Sequence, residues 1–439
     1  MMDLMMVTFM FFSLMFMDKS FDRLLLSNML FLMVMNNLIK MNWIKWSFIL
    51  GNFGLNYFTI GILLLVYWIF AIVFVSLFDE DDFYECVVLN FLLMMLVMAN
   101  FLTMNLMVYY FMFEASLLVV FYMVMKWGYS SNRYVASFYL MFYTLTFSLP
   151  VLCLMFQIIE LNGTYMFFLL DMMKLSCMNK FNFLYFSLAF LVKVPLYMIH
   201  GWLLKAHVEA SYFSSMILAA IMLKLGTYGV LRMIYMSEEI LMEMNVYYMM
   251  LSLLGMLIVS CQCMLQFDMK LIIAMSSVVH MGIMLFSMFT MSSLGMIGGY
   301  YLMLSHGLAS SSLFYLVHTI YWQTNSRVIF INKGTLSLMP SMSMFWFLSC
   351  VYNSGAPISL NMVSEVFMLM SLICWCKYLF VFLMLYCLLS FIYSIYLFSM
   401  VQHGMYCMKA NIYSGSSMDY LVLILHLIPL NLMIFNLLI

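Results

Sequence analysis

Long apolar runs almost free of charge recur along the whole chain, and they constrain its fold more than any other feature. Segment 54–78 contains no Asp, Glu, Lys or Arg. A run of that length crosses the ~30 Å hydrocarbon core of a bilayer as a helix. No water is available there to satisfy free backbone groups, so only helices and closed barrels survive. A barrel is excluded because the runs are long and lack the ~10-residue alternation of barrel strands. Fourteen such segments can be drawn: 4–17, 24–39, 54–78, 86–107, 109–125, 136–159, 181–204, 214–235, 245–265, 270–290, 294–318, 341–375, 378–401 and 420–438. The expected fold class is therefore all-α, a polytopic membrane protein of about fourteen transmembrane helices.

Composition agrees. Of 439 residues, 67% are hydrophobic and 8% charged, against roughly 25% charged in soluble chains. Little length remains for a soluble catalytic domain; the longest polar stretch runs from Glu160 to Lys180. The 17 basic and 18 acidic residues give a net charge of −1, which offers nothing to a nucleic acid. The opening MMDLMM leads straight into Val7–Met17 without the basic start of a cleavable leader, so none is expected. The ten cysteines read as small apolar packing residues. The pairs Cys261/Cys263 and Cys374/Cys376 would point about 200° apart on a helix and could not share a metal. If the spans alternate, nine loop Lys and Arg residues, including Lys126, Arg133, Lys205, Lys270 and Arg327, fall on one side and six on the other. That bias puts the richer side inside and both termini outside. The acidic run Asp79, Glu80, Asp81, Asp82 reads as a solvated inner loop.

Two segments are irregular in the same way. In LAFLVKVPLYMIHGWL, Lys193 is followed by Pro195, which removes a donor and clashes with the carbonyl of Leu191. Segment 341–375 is too long for one straight span and is interrupted at Gly355-Ala356-Pro357, with Glu365 eight residues beyond the proline. The two breaks are five segments apart, an odd offset that inverts topology. The expected organisation of the single transmembrane domain 1–439 is therefore an amino-terminal three-helix segment (1–80), two inverted five-helix repeats (84–235 and 245–401) and a carboxy-terminal loop and helix (402–439). Inverted repeats with broken helices are a pattern of ion transporters, whose freed backbone lines a polar cavity near the midplane. Two incidental proline kinks would look the same from the breaks alone.

The charges weigh toward transport. Four ionisable residues lie inside spans: Glu114, Lys193, Lys224 and Glu365. Each costs ~2.5–3.5 kcal/mol at a helix centre on insertion scales, so a chain this poor in charge is expected to pair or use them. His280 in SSVVHMG and His306 in LSHGLASSSLF add two groups that titrate near neutrality when unperturbed, both flanked by hydroxyls and glycine that admit water. Carboxylates, amines and imidazoles without a nucleophile, phosphate loop or metal cluster make the inventory of a proton wire. Static ion pairs that only hold helices together remain the rival reading. A haem is disfavoured: no C-x-x-C-H is present, and His207, seven residues after His200, reads as part of a Lys205–Glu209 loop.

The stretches carrying these residues resemble a known family. FMFEASLLVVFYMVMKWG (111–128), LAFLVKVPLYMIHGWLLKAHVEA (188–210), ILAAIMLKLGTYGVLRM (217–233), FDMKLIIAMSSVVHMG (267–282), SHGLASSSLF (305–314) and NMVSEVF (361–367) are similar, in order, to subunit 4 of mitochondrial NADH:ubiquinone oxidoreductase, respiratory complex I. The likeness covers roughly residues 80–400. It implies a fourteen-helix, antiporter-like subunit of the membrane arm, in the mitochondrial inner membrane and mitochondrially encoded. The 56 methionines fit an invertebrate-type mitochondrial code. The resemblance further implies a proton relay of Glu114, Lys193, Lys224, His280, His306 and Glu365, with a Glu114–Lys193 ion pair at its start. It implies no cofactor in this subunit, with NADH, FMN, iron–sulfur clusters and ubiquinone elsewhere in the complex. The implied partners are the antiporter-like sister subunits and lipids such as cardiolipin. The chain departs from the family pattern at Leu203-Leu204, Ala210-Ser211, Ser214 and Ala356-Pro357, which bears on local backbone geometry and not on the ionisable residues. A multisubunit cation/proton antiporter component and a purely structural membrane-arm subunit remain as alternatives.

Overall fold

The computed structural model describes residues 47–50, 53–55, 57–77, 83–173, 179–405 and 414–435. Segments 4–17 and 24–39 and the acidic run at 79–82 lie outside the described residues. Among the described residues a short antiparallel ribbon, β1 (Ser47–Leu50) and β2 (Phe53–Leu55), comes first, and β2 takes up the first two residues of the apolar segment expected at 54–78. The described elements after it are helices. Segments three to six become α1 (Tyr57–Ser76), α2 (Phe83–Leu102), α3 (Leu106–Trp127) and α4 (Arg133–Asn162). The polar connection that follows contains a short helix, α5 (Phe167–Met173), which the apolar pattern did not show. It is tied to the bundle by Phe167 N–H donating to the Met104 carbonyl at 2.9 Å.

Segment seven splits into α6 (Lys180–Lys193) and α7 (Gly201–Glu209). Then come α8 (Tyr212–Met236), α9 (Glu238–Cys263), α10 (Met269–Met288) and α11 (Ser293–Thr324). After the one-turn α12 (Thr335–Leu338), segment twelve splits into α13 (Pro340–Asn353) and α14 (Leu360–Trp375). The chain closes with α15 (Phe380–Gln402) and α16 (Ser417–Phe435). Nine helices among the described residues are long and apolar enough to cross a membrane. The other three segments are the two broken ones and α11, which is long but carries Ser305, His306, Ser310, Ser311 and Ser312 in its buried middle. Burial explains how so polar a helix is tolerated: α8 is enclosed along its whole length and α10 nearly so, whereas α4 and α15 turn most of their apolar surface outward.

The ends of the bundle can be told apart. Arg327 donates to the carbonyl of Val208, at the end of α7. The N–H of Met269 donates to the Arg327 carbonyl at 3.1 Å, and the Thr335 hydroxyl donates to the Val401 carbonyl at 3.2 Å. The end of α7, the start of α10 and the end of α15 therefore meet the connection between α11 and α13. That end holds Lys126, Arg133, Lys205, Lys270 and Arg327, and is called the inner end below. The α6–α7 span runs toward it and the α13–α14 span away from it.

The two breaks are built alike. In the first, Val194 N–H bonds the Phe190 carbonyl and Leu196 N–H reaches back five residues to Leu191; in the second, Ser354 bonds Cys350 and Ala356 bonds Val351, all four at 3.1 Å. Each break then turns through one non-glycine residue with positive φ, Met198 (76°) and Ile358 (67°). At each break the second half-helix sends a side-chain donor back to a carbonyl at the end of the first, although the Tyr352 carbonyl also accepts from Gly355 N–H at 3.2 Å. Trp202 Nε1 donates to the Val192 carbonyl at 3.0 Å, and Asn361 Nδ2 donates to the Tyr352 carbonyl at 2.7 Å. Broken helices persist at membrane depth only where such freed groups find partners.

A buried row of ionisable residues

The six residues singled out by sequence fall into two groups. In the first, Glu114 and Lys193 lie on α3 and α6, but they do not form the expected ion pair. Lys193 Nζ instead donates to the carbonyl of Phe113 at 3.1 Å and sits 2.7 Å from the centroid of the Phe113 ring. Neighbouring residues on a helix project about 100° apart, so when Phe113 faces α6 its neighbour Glu114 turns toward α4. There Glu114 lines a small cavity of about 60 Å³ with Leu117, Leu140 and Thr144, and its buried Oε1 has no hydrogen-bond partner among the described residues. A cation on an aromatic face is a recognised mode of holding an ammonium away from water.

The second group is contiguous. Lys224 Nζ donates to the Ala219 carbonyl at 2.9 Å and lies 3.1 Å from His306 Nδ1. A π-helical turn at Leu218–Met222 shapes this contact, since widening the helix there takes carbonyls out of the ordinary ladder. The His306 and His280 rings stand 5.7 Å apart. His280 Nδ1 is 3.7 Å from Glu365 Oε1. Glu365 is folded back onto the break: a Cβ added to Gly355 would collide with its Oε2, so only glycine, here at φ +75°, leaves the carboxyl that place.

Between the groups stands the backbone of α8. Gly226, two residues beyond Lys224, abuts Lys193, where an added Cβ would come within 2.9 Å of the lysine Cβ. Lys193 and Lys224 are thus brought to opposite sides of one close helix contact without touching through their polar atoms.

Sequence reasoning missed several polar neighbours. His207 is not in a loop but in α7, fully buried, with its ring stacked on Phe314 at 4.8 Å. Neither of its ring nitrogens has a hydrogen-bond partner among the described residues. Toward the inner end, Lys270 donates to the Ala210 carbonyl at 2.8 Å, and Glu209 is held by Ser130 and by Arg327 at 3.7 Å. A cavity of about 410 Å³ opens there, lined by Lys205, Glu209, Asn132 and Leu271 among others. Tyr386 and Tyr393 approach the His280 ring from α15. The signal for these tyrosines was their seven-residue spacing, which keeps them on one helix face; the signal for His207 was that no glycine or proline separates it from α7. At the other end Arg232 on α8 stands 3.9 Å from Asp171 on α5, and burial pushes the Asp171 carboxyl up to about 6 against the pull of Arg232.

A helical membrane bundle with paired, oppositely directed breaks around a buried row of ionisable groups is the architecture of an antiporter-like membrane subunit. The family model for the transmembrane region shared by NADH:quinone oxidoreductase and Mrp antiporters matches residues 103–392. NADH-ubiquinone oxidoreductase chain 4 of Apis mellifera ligustica is 47% identical over 416 residues, 94% of this chain and 92% of the relative. In structure, the chain is similar to one from respiratory complex I of Thermus thermophilus (TM-score 0.86, 21% identity, 98% and 94% of the two chains covered). It is also similar to one from the Mrp complex of a Dietzia species (TM-score 0.74, 17% identity, 81% and 68% covered). The chain belongs to the NADH-ubiquinone oxidoreductase chain 4 family.

Proposed function

We propose that this chain is a proton-translocating core subunit of NADH:ubiquinone oxidoreductase, driven by electron transfer elsewhere in the complex. The observation that carries the reading is the closely spaced polar row Lys224–His306–His280–Glu365 inside a span-forming bundle. Buried ionisable groups in a membrane are expensive and are retained for ion pathways, and this row ends against the second broken helix. Glu114 and Lys193 would act at its head: loss or gain of charge at Glu114 changes how firmly Lys193 holds its proton, and the change passes across Gly226 to Lys224. His207 stands between the inner cavity and this row and offers two free ring nitrogens to water. The two breaks support reading 84–235 and 245–401 as inverted repeats. No redox cofactor is proposed for this subunit; NADH, FMN, iron–sulfur clusters and ubiquinone belong to other parts of the complex.

The setting that follows is the mitochondrial inner membrane, within the membrane arm. The outward apolar faces of α4 and α15 would meet antiporter-like sister subunits and lipids such as cardiolipin. The test is proton pumping per electron in the complex reconstituted into sealed vesicles. Lys224→Met and Glu365→Gln should each cut protons per electron severely while the complex still assembles. Assembly loss with an unchanged ratio in the assembled fraction would favour the structural reading, and sodium-dependent flux without NADH-linked pumping would favour an independent antiporter.

A further inference from the structure

The face that α15 turns inward is unlike the rest of that helix. Phe380, Val381, Leu388 and Phe391 point out of the bundle, whereas Tyr386, Ser390 and Tyr393 are buried. Both phenols end on one imidazole. Tyr393 Oη is 3.1 Å from His280 Nε2, and Tyr386 Oη is 3.5 Å from His280 Nδ1. Glu365 Oε1 competes for the same Nδ1 at 3.7 Å and has no hydrogen bond of its own among the described residues. The His306 ring and the backbone of Asn353 complete the polar surroundings.

We propose that Tyr386 and Tyr393 are positioning residues that hold His280 between two tautomers and so decide when its Nδ1 proton is available to Glu365. The proposal rests on the relay reading above. A neutral imidazole donates through one nitrogen and accepts through the other. A phenol can donate to either nitrogen, and an ionised carboxylate can only accept. When Tyr393 donates to Nε2, the ring carries its proton on Nδ1 and donates it to ionised Glu365. When Glu365 has taken a proton, Nδ1 becomes an acceptor for Tyr386 and the ring proton sits on Nε2. Each phenol thus stabilises a different tautomer. Tyr393 lies nearer the inner end than Tyr386, about 10 Å further along α15 by helix rise. The Nε2 side therefore faces inward and the Nδ1 side outward. As a proton arrives at Nε2 from water or from a protonated His306, forming one N–H bond there, the N–H bond at Nδ1 breaks and an O–H bond forms at Glu365, so the ring passes to its Nε2–H tautomer without becoming an imidazolate.

The experiment uses the assembled complex carrying Tyr393→Phe or Tyr386→Phe, with isotope-edited infrared spectroscopy of histidine and proton pumping per electron read on the same preparations. A His280→Gln variant assigns the band, and Glu365→Gln serves as the pumping reference. Tyr386→Phe should shift His280 toward the Nδ1–H form and Tyr393→Phe toward the Nε2–H form, and Tyr393→Phe should cut protons per electron at least twofold. Shifts of the same sign, or none, would overturn the clamp. If Tyr393→Phe fails to assemble, the sign of the Tyr386→Phe shift decides alone. Normal pumping in Glu365→Gln would sink the relay reading instead, whatever the tyrosines do to the band.

Discussion

The two broken spans have nearly the same backbone and almost opposite chemistry. Phe190 and Cys350, Leu191 and Val351, Val192 and Tyr352, Met198 and Ile358 play matching roles at a constant offset in sequence. The prolines do not share that offset: Pro195 corresponds to Gly355, and Pro357 to Tyr197. Proline is therefore not what defines the break. The defining parts are the five-residue hydrogen bond, the left-handed residue and the side-chain donor from the second half-helix. On that common frame the first break places an ammonium against an aromatic ring and a carbonyl, and the second places a carboxyl against glycine and an imidazole. The scaffold fixes where a polar group is tolerated, and local residues choose its sign.

The sharpest way to break this comparison is to exchange what differs. Gly355→Val should be severe. Its φ of +75° costs a branched residue at least ~1–2 kcal/mol, and the new Cβ would collide with the Glu365 carboxyl. Protons per electron, or the yield of assembled complex, should fall more than tenfold. Pro195→Ala at the corresponding position should change stability by about 1 kcal/mol or less, since the Leu196–Leu191 bond does not depend on the ring and a lost proline costs mainly unfolded-chain entropy. Equal effects at the two positions would mean that the carboxyl does not need the glycine.

A milder pair tests what the breaks share. Met198 and Ile358 both adopt positive φ, and both project out of the bundle, 76% and 73% exposed. Replacing either with glycine relieves ~1–2 kcal/mol of left-handed strain and returns ~0.5–1 kcal/mol as chain entropy. Met198→Gly and Ile358→Gly should therefore each be neutral or stabilising by up to about 1 kcal/mol, and by similar amounts. Thermal inactivation of the complex reads both, and clearly unequal shifts would show that the frames are only superficially alike.

These comparisons also mark what was legible in the sequence. Uncharged runs had to become helices, and Pro195 and Gly355-Ala356-Pro357 announced the interruptions, because hydropathy and missing donors act locally. The four charges inside spans and two histidines were conspicuous for the same reason. The partners were not legible. Whether Lys193 meets Glu114 or the carbonyl of Phe113 depends on the rotation of α3 by a single residue, and on how closely Gly226 lets α8 approach. Tyr386 and Tyr393 resemble the many other aromatics of a lipid-facing helix until the packing shows which face is buried. The loop helix α5 was hidden because seven residues are too few for an apolar period to stand out.

That loop helix supports the smallest of the expected effects, and the one most confined to the first break. The α8 helix that backs Lys193 through Gly226 carries Arg232 further along, where it meets Asp171 of α5 and the Tyr228 hydroxyl. The Asp171 carboxyl is pushed up to about 6 from an ordinary value of 3.8, chiefly by burial, with Arg232 pulling the other way. A carboxyl that binds its proton more tightly when docked favours docking at low pH. The contribution is fully present below about pH 4 and fades as pH rises through about 6. The full shift corresponds to roughly 3 kcal/mol. Partial exposure of the side chain (26%) reduces this by solvent screening to roughly a tenfold change in local opening. Hydrogen exchange at 167–173, corrected for intrinsic rates, should accordingly lose protection between about pH 4 and 6, and Asp171→Asn should abolish that dependence while leaving the exchange of α13 and α14 unaltered. A pH response that persisted in Asp171→Asn, or that appeared equally at the second break, would place its origin in a group common to both.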